Sequence, residues 1–238
     1  MISACLSEPG QHVGDLLASG IPVSLALGGL SMALALLIGV PFGTLAAARH
    51  NRPFADHLSM GLMLALSSIP IFLLIIPLID FFSIKCGWLP SGQWGDSGWL
   101  GIKEMILPVL VNALVPASFF ARSLRSMLLE SLGQPYIRTA RAKGVGMRRI
   151  LWTHALKNAV PSFASVLGPA LATIVSGSFF VETTFSINGI AAITVRSTMN
   201  GDLTVTEATT LLLATAVVVA NAATDIVQAM LDPRVRLQ

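Results

Sequence analysis

Few residues in this chain have the type and spacing to do chemistry, and most of them stand alone. The apolar stretches hold no His pair, no Gly-x-Ser-x-Gly and no acidic cluster, so the convergent groups that catalysis needs are missing. His154 has no Cys, His or acidic residue at metal-ligand spacing and reads as a packing or hydrogen-bonding residue at a membrane surface. There is no Gly-x-x-x-x-Gly-Lys-Ser/Thr phosphate loop, and Gly144, Val145 and Gly146 are too weak a pattern to count as one. The exception is "RTARAKGVGMRRILWTHALKNAVP", residues 138–161, which contains six Lys or Arg residues and no acid. Its chemistry is that of recognition, toward an acidic protein surface or an anionic membrane.

The elements that must hold this stretch follow from composition. The chain has 238 residues, 54% of them apolar and 11% charged, with a mean hydropathy of +0.76. Too little polar surface exists to cover a soluble domain of that size. Apolar runs long enough to cross about 30 Å of hydrocarbon recur at 21–48, 58–82, 105–121, 160–181 and 203–230. In lipid each backbone amide must be paired within its own segment, so these runs are expected to be helices. The chain is therefore read as an all-α polytopic membrane protein with five spans. The first span is not a cleaved signal peptide, because no Lys or Arg precedes Arg49 and the apolar run is too long. Cys5 and Cys86 cannot support a disulfide framework; they read as two free thiols, with a bridge the alternative.

Charge orients the spans. Of the 15 Lys and Arg residues, Arg49 and Arg52 follow the first span and eight lie between Arg122 and Lys157. Arg234 and Arg236 close the chain, while Lys85, Lys103 and Arg196 fall on the other side. The positive-inside rule puts the richer side in the cytoplasm, with the N-terminus outside and the C-terminus inside. Within the basic loop, good helix formers from Tyr136 to Lys143 are broken by Gly144 and Gly146. A second helical pattern follows, with Met147, Ile150, Leu151 and Ala155 on one face. A plain topology loop needs charge but not small residues at Ala140, Ala142, Gly144 and Gly146, which would let another surface approach the backbone. A helix–turn–helix that docks a partner is the expectation.

At this point the pattern has relatives. "YIRTARAKGVGMRRILWTHALKNAVP" resembles the cytoplasmic signature loop of ABC-importer permeases, in its oligopeptide and dipeptide permease variant. Tyr136, Arg138 through Gly144, His154, Asn158 and Pro161 fit that variant, whereas only Ala140, Gly144 and Leu156 fit the general form. "GVPFGTLAA" (39–47), "SSIPIF" (67–72), "GWLPSG" (87–92) and "LDPRVR" (231–236) resemble further family segments in the same order. "VETTFSINGI" (181–190) is similar to a Glu-x-x-Phe-Ser-x-Pro-Gly motif, with Asn188 where Pro is usual and Ile187 where an aromatic is usual.

The resemblance implies a type I ABC-importer transmembrane domain over 21–238, with an external segment at 1–20 and an ATPase-docking loop at 122–160. Arg138, Thr139, Ala140, Arg141, Ala142, Lys143 and Gly144 would dock on the ATPase. The implied partners are a second, homologous permease, one or two cytoplasmic ATPase subunits, an external solute-binding protein and membrane lipid, with no nucleic acid. The chain would be a transport subunit of the bacterial inner membrane rather than an enzyme. It would need no cofactor of its own, since ATP binds the partner, and it would translocate peptides or similar small solutes. The alternative is a proton-coupled secondary transporter, for which inverted repeats or a mid-span acid relay would be expected.

Family members usually have six spans. "SACLSEPGQHVGDLLASG" (3–20) reads as the tail of an external segment, which favours a start upstream of Met1 and an additional preceding span. Three further readings concern the spans. Asp225, with Asn221 one turn earlier, reads as an interfacial or locally paired group rather than a functional acid. Gly28, Gly29, Gly39 and Gly43 suit either close helix packing or a pore wall. Pro70, Pro77, Pro108, Pro116 and Pro169 are expected to kink their spans.

Overall fold

A computed structural model describes residues 12–50, 53–92 and 100–231. Every element in it is helical: α1 (Val13–Ala48), α2 (Pro53–Ser68), α3 (Ile71–Ile79), α4 (Leu100–Leu132), α5 (Pro135–Ala142), α6 (Met147–Arg149), α7 (Leu156–Ala164), α8 (Leu167–Thr184), α9 (Ile190–Met199) and α10 (Leu203–Leu231). Two π-helical segments, Asp80–Lys85 and Ile150–Ala155, extend α3 and α6. In the first, residues five apart come into register, and Lys85 Nζ lies 2.6 Å from Asp80 Oδ2.

Three helices are long and apolar enough to span a membrane, and two interrupted pairs bring the number to five if each pair is one span. The five expected spans all coincide with these elements. Three details differ from the sequence reading. First, α1 begins at Val13 rather than at residue 21, because Val13, Leu16 and Leu17 pack with Val205, Ile193 and Ala208. Of the expected external segment, residues 1–11 lie outside the described part of the chain.

Second, the run 58–82 breaks between α2 and α3. Pro70 sits at the start of α3 with ψ 142, an extended geometry, and proline also drives the residue before it out of the helical region. The Ser67 and Ser68 hydroxyls donate to the Leu64 carbonyl at 3.0 and 2.8 Å, satisfying a helix end that would otherwise face hydrocarbon. Third, the run 160–181 breaks at Ser165 and Val166 rather than opening at Pro161, which lies inside α7. Pro77, Pro108 and Pro116 are likewise absorbed within α3 and α4, and Pro169 falls in the first turn of α8.

The chain forms two compact units. The first combines residues 1–34, 69–113 and 171–219. Its core gathers Leu27, Ile75, Leu107, Val111, Val181 and Phe185, all at most 1% exposed, and Ile187 packs with them. The second combines residues 35–68, 114–170 and 220–238. There α1 lies against α4 through small residues. A Cβ on Gly39 would stand 2.7 Å from the Ala117 carbonyl oxygen and from Phe120 Cβ, and one on Gly43 would stand 2.6 Å from the Ala121 carbonyl oxygen. Between the two readings of these glycines, the structure selects close packing for Gly39 and Gly43. Gly29 has nothing within 4 Å of such a Cβ.

Candidate functional site

The basic loop folds as a helix, a glycine turn and a second helical segment, as its residue pattern predicts. Pro135 opens α5, where a missing N–H is harmless. The helix closes at Gly144, whose φ of +76 is a conformation that L side chains rarely adopt. The Val145 N–H bonds to the Ala140 carbonyl at 3.1 Å and the Gly144 N–H to the Arg141 carbonyl at 2.9 Å. This is the paired Schellman closure, which satisfies carbonyls that would otherwise be orphaned.

The loop is anchored rather than loose. Ile137, Ile150, Leu151 and Ala155 are at most 4% exposed, and Ser131 Oγ lies 2.6 Å from the Tyr136 hydroxyl. Phe163 of α7 packs on Phe120 of α4 with ring centroids 5.5 Å apart. Of the predicted apolar face, Met147 alone is exposed. Arg138, Thr139, Arg141, Ala142, Lys143 and Gly144 are also exposed, Ala140 is half-buried, and no neighbour lies within 4 Å of a Cβ placed on Gly144 or Gly146. The small residues thus line an open surface of a rigid projection. Arg141 departs from its neighbours by turning toward Met147, its Nη2 3.9 Å from Sδ. Trp152, Arg148, Arg149 and Gly146 border an open depression of about 540 Å³.

A second constellation was not singled out by sequence reasoning beyond its motif. Glu182, fully buried near the end of α8, accepts from the Ser24 hydroxyl of α1 at 2.8 Å and from the Ala192 N–H at 3.0 Å. Ser24 Oγ in turn accepts from the Ile190 N–H at 2.8 Å. A carboxylate borrowed from another helix therefore caps the N-terminus of α9, where its charge suits the helix dipole. "VETTFSINGI" now has a physical account. Phe185 and Ile187 are core residues, Ser186 takes a left-handed φ of 53, and a Cβ on Gly189 would collide with the Glu182 carboxylate. Ile187 and Asn188, the two departures from the family pattern, are accommodated: Ile187 is buried, and Arg196 Nη2 donates to Asn188 Oδ1 at 3.4 Å.

Other sequence candidates are placed as follows. Asp225 is exposed on α10, while Asn221 and Thr224 face the backbone of α8 at Gly168. His154 is half-buried on the second π-helical segment. Cys86 is a free thiol; Cys5, Arg52, Arg234 and Arg236 lie outside the described residues.

A family model described as "Binding-protein-dependent transport system inner membrane component" matches residues 39–237. The chain belongs to that family. Among curated relatives, this permease is 36% identical over 226 residues to the oligopeptide transport system permease protein OppB of Haemophilus influenzae, covering 95% of this chain and 72% of that one. It is 38% identical over 224 residues to OppB of Escherichia coli, covering 94% and 72%. It is 35% identical over 232 residues to the dipeptide transport system permease protein DppB of Bacillus subtilis, covering 98% and 73%. A solved inward-facing structure of the MetNI methionine ABC transporter superposes with a TM-score of 0.78 at 22% identity, over 92% of this chain and 97% of that one. That likeness establishes the fold, the type I ABC-importer transmembrane domain. The protein is thus the permease of an ABC importer, a transport subunit and a multi-pass protein of the inner membrane.

Proposed function

We propose that this permease carries peptides or similar small solutes, and that residues 138–144 are where a separate ATPase grips it. The observation that carries the docking assignment is the anchored, exposed helix α5 closed by a left-handed glycine. A stiff projection transmits displacement to the spans; a loose loop would not. Arg138 and Lys143 would face acidic groups of the ATPase, with Ala140 and Gly144 allowing the approach. Closure of an ATPase dimer would then pull on α5 and rock the spans between inward and outward states.

The remaining partners follow from the family: a second permease, one or two ATPase subunits on which ATP is hydrolysed, and an external solute-binding protein. The excess of Lys and Arg on the loop side supports a cytoplasmic C-terminus and a docking loop facing the cytoplasm. The names of the relatives support peptides as the solute class. Uptake by the complete transporter tests both parts. Ala140→Asp reverses the local charge and is expected to abolish transport while membrane insertion persists; full transport by that variant overturns the docking assignment. Competitive uptake in a deletion strain tests the solute, and wild-type uptake of every peptide offered would overturn that part.

A further inference from the structure

The C-terminal ends of α1 and α4 meet the basic loop around a cavity of about 240 Å³ that no step above uses. Ala47, Ala48, Leu129 and Leu132 give it an apolar wall, and His50 and Arg141 stand at its rim. Arg125 extends the cationic side, with Nη2 3.4 Å from His50 Nδ1. None of the described residues lining the cavity is acidic. Its depth is set by composition: the apolar stretch of α1 ends at Ala48 and that of α4 at Leu132, so the cavity lies where two spans leave the hydrocarbon.

Cations above an apolar wall, at the level of the headgroups, match one ligand chemistry. A free phosphate would use the cations and leave the wall in water. An acidic ATPase side chain would meet Arg138 and Lys143 on the exposed side of α5 instead. We infer that the cavity binds the phosphate headgroup of an anionic phospholipid, its glycerol and upper acyl carbons lying along Leu129 and Leu132. Through Arg141, the lipid ties the docking helix α5 to the ends of α1 and α4. The consequence for coupling rests on the docking assignment proposed above; the binding itself does not.

The test is native mass spectrometry of the complete transporter from nanodiscs of phosphatidylcholine mixed with phosphatidylglycerol, which reads lipid without reading transport. The wild type is expected to retain phosphatidylglycerol in preference to phosphatidylcholine. His50→Gln with Arg125→Gln should lose that preference by roughly fivefold for each cation removed. His50→Arg and Arg125→Lys, which keep a cation, should retain it. Equal retention by the doubly neutral variant overturns the proposal, as does loss from both charge-conserving variants. Displacement by inorganic phosphate would assign the site to a soluble anion. Release of the lipid on adding the ATPase to the isolated permease would assign it to the protein partner. Failure of the Ala140→Asp experiment leaves this result untouched, so the two readings fail separately.

Discussion

Replacing Gly43 by alanine adds one methyl group where α1 lies against α4. The new Cβ would stand 2.6 Å from the Ala121 carbonyl oxygen, 3.1 Å from Ala121 Cα and 3.2 Å from Leu124 Cβ. All three are backbone or Cβ atoms, so no rotamer change relieves the contact. Restoring an ordinary separation of about 3.4 Å requires the helices to part by roughly 0.8 Å, enough to forfeit a quarter to a half of the dispersion energy of the neighbouring contacts. Overpacking of this kind costs about 1–3 kcal/mol. The helix-propensity gain of alanine over glycine, at most about 1 kcal/mol, opposes it and shrinks in a span that stays helical when its contacts open. Gly39→Ala meets a similar wall at Ala117 and Phe120, so the double substitution should cost more than either alone. Gly29→Ala, with open space around the new methyl, is the control and should be neutral or slightly stabilising. Thermal unfolding of the purified protein reads the difference, at roughly 2–4 °C per kcal/mol for a chain of this size. Wild-type stability of Gly43→Ala, or a loss in Gly29→Ala as large as in Gly43→Ala, would refute the account of the α1–α4 contact.

Glu182→Ala strands the Ala192 N–H and the Ser24 hydroxyl in a buried place, at about 1–3 kcal/mol per stranded donor, and Glu182→Gln should lose less because one acceptor survives. Thermal unfolding checks the order wild type, Gln, Ala; a reversal would remove the capping role. Asn112 is 1% exposed in α4 with neither side-chain atom hydrogen-bonded among the described residues, so Asn112→Leu should raise stability by about 1–3 kcal/mol in the same assay. Gly144→Val puts a β-branched residue at φ +76 and should weaken the end of α5 by more than about 1 kcal/mol, read as faster amide exchange at Val145; unchanged exchange would contradict the Schellman closure.

Much of this architecture was legible in the linear chain for a simple reason: in hydrocarbon the backbone has no partner but itself. Apolar runs must therefore be helices, and the five runs became α1, the α2–α3 pair, α4, the α7–α8 pair and α10. The helix–glycine–helix of the basic loop was equally local, because Gly144 closes α5 with hydrogen bonds to carbonyls three and five residues back. The charge imbalance, likewise, can be read off by counting.

Other features depend on which surfaces meet. A proline in a span is compatible with a kink, a break or continuity. Pro70 begins a new helix where the Ser67 and Ser68 hydroxyls can cover the exposed carbonyl, whereas Pro108 and Pro116 lie within an unbroken α4. Four glycines in α1 look alike in sequence, and only Gly39 and Gly43 have backbone pressed against them. Ser24 and Glu182 are 158 positions apart, a pairing no local pattern can announce. Residue order determined the helices and their charge asymmetry, because backbone pairing in lipid and charge placement are properties of short segments. Tertiary structure alone decided where the spans break, which glycines are close contacts and which carboxylate caps α9, because each depends on atoms that only the fold brings within a few ångströms.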